Sequence, residues 1–60
     1  MTATHPYTVT VSDTAGYRVH PFSALHQAET FYDRMLADSQ MAGYTIRLEL
    51  RIRDKVVRAT

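Results

Sequence analysis

The stretch GYTIRLELRIRD, residues 43–54, alternates apolar and polar side chains with a period of two. This alternation is typical of a β-strand that has one buried and one exposed face. At about 3.3 Å per residue, a strand of about ten residues is near 33 Å long. We therefore expect it to extend beyond shorter neighbours and to expose an unpaired backbone edge there. The even positions are predicted to face the core: Tyr44, Ile46, Leu48, Leu50 and Ile52.

Residues 7–19, YTVTVSDTAGYRV, predict a β-hairpin. DTAG fits a type I turn, and Gly16 can adopt the left-handed conformation of a following bulge. That turn places Val11 opposite Val19. One face of the predicted hairpin then carries Val9, Val11, Tyr17 and Val19, and the other carries Thr8, Thr10, Ser12, Arg18 and His20. Because proline lacks a backbone donor, Pro21 should end the second strand or lie on a sheet edge.

Residues 24–42 follow the three- and four-residue spacing of an amphipathic helix. Ser23 is the predicted N-cap, and Gly43 is the predicted C-terminal stop. The apolar face is formed by Leu25, Ala28, Phe31, Tyr32, Met35, Leu36 and Ala42.

The element order is β-β-α-β, with room for a fourth short strand in which Val57 and Ala59 lie beside Ile52 and Leu50. The helix carries the chain back, so the third strand should run antiparallel to the first. A right-handed crossover can place it beside the first strand, which gives the sheet order 2-1-3. The prediction is one α+β domain over residues 1–60, in which one helix packs on a three- to four-stranded, mainly antiparallel sheet. Residues 1–6 are expected to be a flexible N-terminus.

The chain has 60 residues, no cysteine, 45% hydrophobic residues and a net charge of +1. A chain of this size buries only about 60% of its unfolded surface. Without cysteine it has no disulfide and no thiolate metal site, so we expect a partner to add stability. No run of apolar residues is long enough for a membrane span and no secretion signal is visible, which favours a cytoplasmic protein.

Catalytic and metal chemistry have few candidates in this sequence. His5, His20 and His26 are the only histidines, and no HExxH spacing accompanies them. Ser23 near His26 is explained by helix capping, since no oxyanion-hole glycines or orienting acid accompany it. A domain this small also has little room for a ligand pocket. We expect no enzyme activity, no catalytic or metal residues and no cofactor.

Charge is unevenly distributed along the chain. Residues 23–43 carry three acidic side chains and one basic one, whereas residues 44–60 carry five basic and two acidic ones. Opposite charges on two surfaces favour self-association or a charged protein partner. The alternative is nucleic-acid binding by the open face of the sheet. The candidate contacts for a protein or nucleic-acid partner are Arg18, His20, Arg47, Arg51, Arg53, Lys55 and Arg58, and the candidate dimer contacts are Leu50, Ile52, Val56 and Val57.

The segments YTVTVSDTAGYRV, FSALHQAETFYDRML and GYTIRLEL resemble a layout found among very small proteins encoded by bacteriophages and mobile elements. They are also distantly similar to the hairpin-helix-strand core of HicB-type antitoxins, without that family's proline-glycine loop or an added DNA-binding segment. The resemblance implies a non-enzymatic accessory protein that binds, inhibits or modulates a host or defence protein. A homodimer that also meets another protein is the function we expect from the sequence.

Overall fold

The computed structural model describes residues 5–43 and 45–60. These residues form five elements: strands β1 (Tyr7–Asp13) and β2 (Gly16–Phe22), helix α1 (Leu25–Ala42), and strands β3 (Arg47–Ile52) and β4 (Lys55–Ala59). The strands make one sheet in the order β2-β1-β3-β4, in which every neighbouring pair is antiparallel. The α+β prediction, the order of the first three strands and the fourth strand are therefore confirmed.

The core lies between α1 and one face of the sheet. Its centre is formed by Val9, Leu48 and Leu50, each 0% exposed, with Ala28 and Tyr32 contributed by the helix. Because Val9 is paired with Leu50 and Val11 with Leu48, the aliphatic side chains of β1 and β3 occupy the same face. Partly buried apolar side chains surround this centre: Tyr7, Phe22, Leu25, Phe31, Met35 and Leu36.

Helix α1 ends where the sequence predicted. Gly43 has a φ of 77°, and its N–H donates to the Ser39 carbonyl at 3.0 Å, a left-handed cap that favours glycine. The predicted N-cap was wrong, because Ala24 occupies that position and no side chain caps the helix. The apolar face also differs at two positions. Ala42 is exposed, whereas Ser39 is buried and donates its hydroxyl to the Leu36 carbonyl at 2.9 Å.

The hairpin register differs by one residue from the expected one. Asp13 pairs with Gly16 instead of Tyr17, so the connection contains only two residues and no bulge. Asp13 Oδ1 accepts a hydrogen bond from the Ala15 N–H at 2.8 Å, and Gly16 has a φ of 126°. A slip of one residue moves every side chain of β2 to the opposite face.

Strand β3 is six residues long rather than ten. Ile46 is buried although it precedes the strand, and Tyr44 lies outside the described residues. Strand β1 pairs with β3 along the whole of Arg47–Ile52. The expected overhang of β3 past its neighbours was therefore wrong.

Strand β4 follows a two-residue turn in which Arg53 has a φ of 58°. Lys55 pairs with Ile52 and Arg58 pairs with Leu50, and the register shifts between Leu50 and Arg51. Val57 and Ala59 were expected opposite Ile52 and Leu50, so that pairing was wrong. The Arg53 N–H also donates to the Pro6 carbonyl at 2.7 Å, whereas most of the predicted flexible segment, residues 1–4, lies outside the described residues.

Candidate protein-binding surface

The sheet face turned away from α1 is not covered by any described element, and we call it the open face. Cross-strand pairing assigns eleven residues to it, because paired residues share a face. They are Tyr17, Val19 and Pro21 from β2, Thr8, Thr10 and Ser12 from β1, Arg47, Glu49 and Arg51 from β3, and Val56 and Ala59 from β4.

Apolar side chains occupy the two edges of the open face. On the β2 edge, Tyr17 is 70% exposed and Val19 is 52% exposed. On the β4 edge, Val56 is 41% exposed. The hydroxyl side chains of β1 between these edges are half-buried. The open face therefore has a polar centre between two apolar margins.

The charges at the centre of the open face partly neutralise one another. Arg51 Nη2 donates to Glu49 Oε1 at 3.0 Å, which leaves Arg47 without an ion pair among the described residues. Arg51 Nε is buried and has no hydrogen-bond partner in the described chain. The net charge of the open face is thus close to +1, and it resides on Arg47.

The seven basic candidates from the sequence do not share one face. Arg47 and Arg51 lie on the open face, and Arg53 is in the turn before β4. Arg18 pairs with Val11 and His20 with Val9, so both lie on the helix side of the sheet. Their expected position on the open face was wrong because of the one-residue slip in the hairpin.

Arg58 and Lys55 also lie on the helix side, since their cross-strand partners, Leu50 and Ile52, face α1. Arg58 Nη2 is 3.1 Å from Asp33 Oδ1, and its guanidinium carbon is 4.3 Å from the centre of the Tyr32 ring. Arg58 is therefore engaged within the chain. Nucleic-acid binding stays a prediction, without the continuous basic surface on which it was based.

The four candidate dimer contacts have very different exposures. Leu50 is 0% exposed and belongs to the core, and Ile52 is half-buried. Val56 lies on the open face, and Val57, which is 43% exposed, sits where the β3–β4 register shifts. In the folded chain, only the two valines present substantial surface to a partner.

The histidines do not come together into a site. The ring of His20 is half-buried and packs on Phe31 with 4.7 Å between ring centres. His26 is exposed near the start of α1, and its carbonyl accepts a hydrogen bond from Thr30 Oγ1 at 2.8 Å. In the described chain, no cluster of three or more histidine, aspartate or glutamate side chains is arranged to hold a metal ion.

The surface has larger grooves than we expected for a domain of this size. One of about 350 Å³ lies between β2 and α1, where Arg18 and Asp13 flank an apolar floor of Val11 and Phe31. A second, of about 580 Å³, lies beside the start of β3. Both volumes fall within the range of about 300–1,000 Å³ for ligand pockets. Their residues contain no nucleophile paired with a base.

The described helix does not have the length and apolar composition needed to cross a membrane. Comparison with protein-family models, curated proteins and solved structures gives no match for this chain. The resemblance to phage-encoded proteins and to HicB-type antitoxins stays a prediction.

Tyr17 and Val19 are the candidate functional residues that sequence reasoning missed. Both were expected on the same face of the hairpin as Val9 and Val11, and both are exposed on the open face. The turn sequence DTAG is compatible with a bulged or an unbulged hairpin, so it did not decide between the two faces. Pairing Tyr7 with Phe22, which puts two aromatic rings on the helix side, is the signal that distinguishes the registers.

Proposed function

We propose that this chain is a non-enzymatic protein-binding module that associates with a second copy through its open face. The observation that carries the proposal is the exposure of Tyr17, Val19 and Val56, at 70%, 52% and 41%, on a sheet face that no described element covers. Burial of exposed apolar area stabilises association by about 25 cal/mol per Å² before the costs of binding.

The composition of the open face supports a protein partner. Tyrosine and arginine are enriched in protein interfaces, and Tyr17 and Arg47 are both exposed. The Glu49–Arg51 pair supplies its own countercharge at 3.0 Å. A near-neutral partner surface can therefore cover it without leaving two isolated charges in the interface.

The small size of the open face favours weak association. Four strands at about 4.8 Å and six residues at about 3.3 Å give a footprint of roughly 19 by 20 Å, or about 400 Å². A standard interface buries about 800 Å² per partner. We therefore expect weak, reversible association, with a dissociation constant of roughly 10 µM to 1 mM, which corresponds to about −7 to −4 kcal/mol.

Sedimentation velocity over a concentration series spanning that range tests the proposal. The parent chain is expected to shift from the 6.9 kDa monomer to a dimer as concentration rises. Val19→Lys should shift the dissociation constant upward by at least about tenfold, because it places a charge in the apolar margin.

Met41→Lys is the matched control for Val19→Lys. Met41 is 87% exposed on α1, away from the open face, and the substitution adds the same charge. It should leave association unchanged. A chain that stays monomeric throughout the range, or one whose dimer is weakened by Met41→Lys and not by Val19→Lys, would contradict the proposal.

A further inference from the structure

The open face is organised in three rows that cross the sheet from β2 to β4. Each row follows from the pairing of the strands. The rows are Pro21, Thr8, Arg51 and Val56; then Val19, Thr10, Glu49 and Ala59; then Tyr17, Ser12 and Arg47. Apolar residues end the first two rows, and a hydroxyl side chain stands next to a charged one at the centre of all three.

A homodimer built on this face has two aligned arrangements. Stacked sheets keep their strands within about 30° of each other, and a two-fold axis makes the same patch serve both copies. When the axis runs along the strands, β2 of one copy covers β4 of the second copy and β1 covers β3. When the axis runs across the strands, each strand covers its own counterpart and the order of the rows is reversed.

Charge separates these two arrangements. With the axis across the strands, Glu49 faces Glu49 of the second copy and Arg51 faces Arg47 of the second copy. Each contact places like charges together as they leave water, which is unfavourable. This arrangement also has no hydroxyl group opposite any of the three charged side chains.

With the axis along the strands, every charged side chain faces a hydroxyl group. Glu49 meets Thr10 of the second copy, Arg51 meets Thr8, and Arg47 meets Ser12. The apolar margins also meet in two of the three rows, Val19 above Ala59 and Pro21 above Val56, whereas Tyr17 has no β4 residue in its row to face. We infer that the dimer packs face to face with β2 of each copy over β4 of the other, an inference that rests on the proposed function.

Single cysteines linked between copies test this arrangement, and the parent chain contains no cysteine to interfere. Stacked sheets lie about 10 Å apart, whereas a disulfide needs Cα atoms within about 7 Å, so a short bismaleimide is the suitable reagent. Val19→Cys and Ala59→Cys chains are prepared separately, mixed, cross-linked at a concentration where sedimentation shows dimer, and identified by mass spectrometry.

The expected result is a cross-linked product that contains one Val19→Cys chain and one Ala59→Cys chain. Each variant alone should give little product, and Met41→Cys, on α1, supplies the level due to random collision. If each variant cross-links to itself and the mixed product is absent, the axis runs across the strands and the inference is wrong. Dimeric samples without product above the Met41→Cys level would overturn it as well.

The failure of the inference is distinguishable from the failure of the proposed function. If the chain sediments only as a monomer, the proposed dimer is wrong and neither arrangement applies. A chain that dimerises, but cross-links in another pattern, retains association and loses only the arrangement of the strands.

Discussion

Arg58 is the side chain that connects β4 to the helix, and its removal should measurably weaken the fold. No residue of Lys55–Ala59 is buried. Arg58 contacts Asp33 at 3.1 Å and stands 4.3 Å from the centre of the Tyr32 ring. An exposed ion pair contributes about 0.2–1 kcal/mol, and an exposed cation–π contact contributes about 0.5–1 kcal/mol.

We predict that Arg58→Ala lowers the free energy of unfolding by about 1 kcal/mol. This value is in the lower part of the range obtained by adding the ion-pair and cation–π contributions, because the Arg58 and Asp33 side chains are 39% and 61% exposed. A 60-residue domain has a total stability of roughly 3–9 kcal/mol, so the loss is a large fraction of it. For a domain of this size it lowers the melting temperature by about 4–8 °C.

Urea and thermal unfolding of dilute protein measure this loss of stability. A double-mutant cycle with Asp33→Asn separates the contribution of the ion pair from that of the contact with Tyr32. Asp33→Asn should cost less than Arg58→Ala, because it leaves the contact with Tyr32, and the Arg58–Asp33 coupling should shrink at high salt. Arg47→Ala, on the open face, is the control and should change stability by less than about 0.5 kcal/mol. Equal losses for Arg58→Ala and Arg47→Ala would refute the reasoning.

Three further predictions concern single positions and are measured by urea unfolding of dilute protein. Arg53→Gly should raise the free energy of unfolding by about 1 kcal/mol, because a left-handed φ of 58° is unfavourable for a residue with a Cβ atom. The control, Arg34→Gly in the helix, should lower it by about 0.5–1 kcal/mol. Equal effects of the two substitutions would contradict this account. Arg51→Met should leave the free energy of unfolding unchanged or raise it. The substitution removes a half-buried ion pair that contributes about 0–1 kcal/mol, together with a buried N–H that has no acceptor in the described chain. A loss above about 2 kcal/mol would show that the polar groups of Arg51 are well satisfied. Val19→Thr should change the free energy of unfolding by less than about 0.5 kcal/mol. Val9→Thr, at a position that is 0% exposed, should lower it by about 1–3 kcal/mol. Similar losses would place Val19 in the core and refute the hairpin register.

The element order was predictable because each element has a period of its own. Val9 and Val11 in β1, and Leu48 and Leu50 in β3, alternate with polar residues and are buried. The helix carries its apolar residues at three- and four-residue spacing, and its end is fixed by Gly43. These patterns depend only on local sequence, so they survive without knowledge of the tertiary contacts.

The hairpin register was not predictable from the turn sequence, because side-chain contacts outside the turn select it. In β2 the two alternating sets of residues are both partly apolar, so either can face the core. The observed register brings the rings of Phe22 and His20 to 5.3 and 4.7 Å from the Phe31 ring. Aromatic pairs contribute about 0.5–1.5 kcal/mol beyond the area that they bury. The turn sequence alone contains no information about these contacts.

The count of basic residues in the sequence therefore overstated the basic character of the surface. The hairpin slip moves Arg18 to the helix side, while Asp33 and Glu49 pair with Arg58 and Arg51. The same slip moves two apolar side chains of β2 outward, so it replaces basic groups by hydrophobic ones on the open face. We expect such a face to bind phosphates weakly, because affinity for nucleic acid depends on the number of unpaired cations. In the proposed dimer, each charged side chain of the open face lies against a hydroxyl group of the second copy, and this condition selects one direction of the two-fold axis.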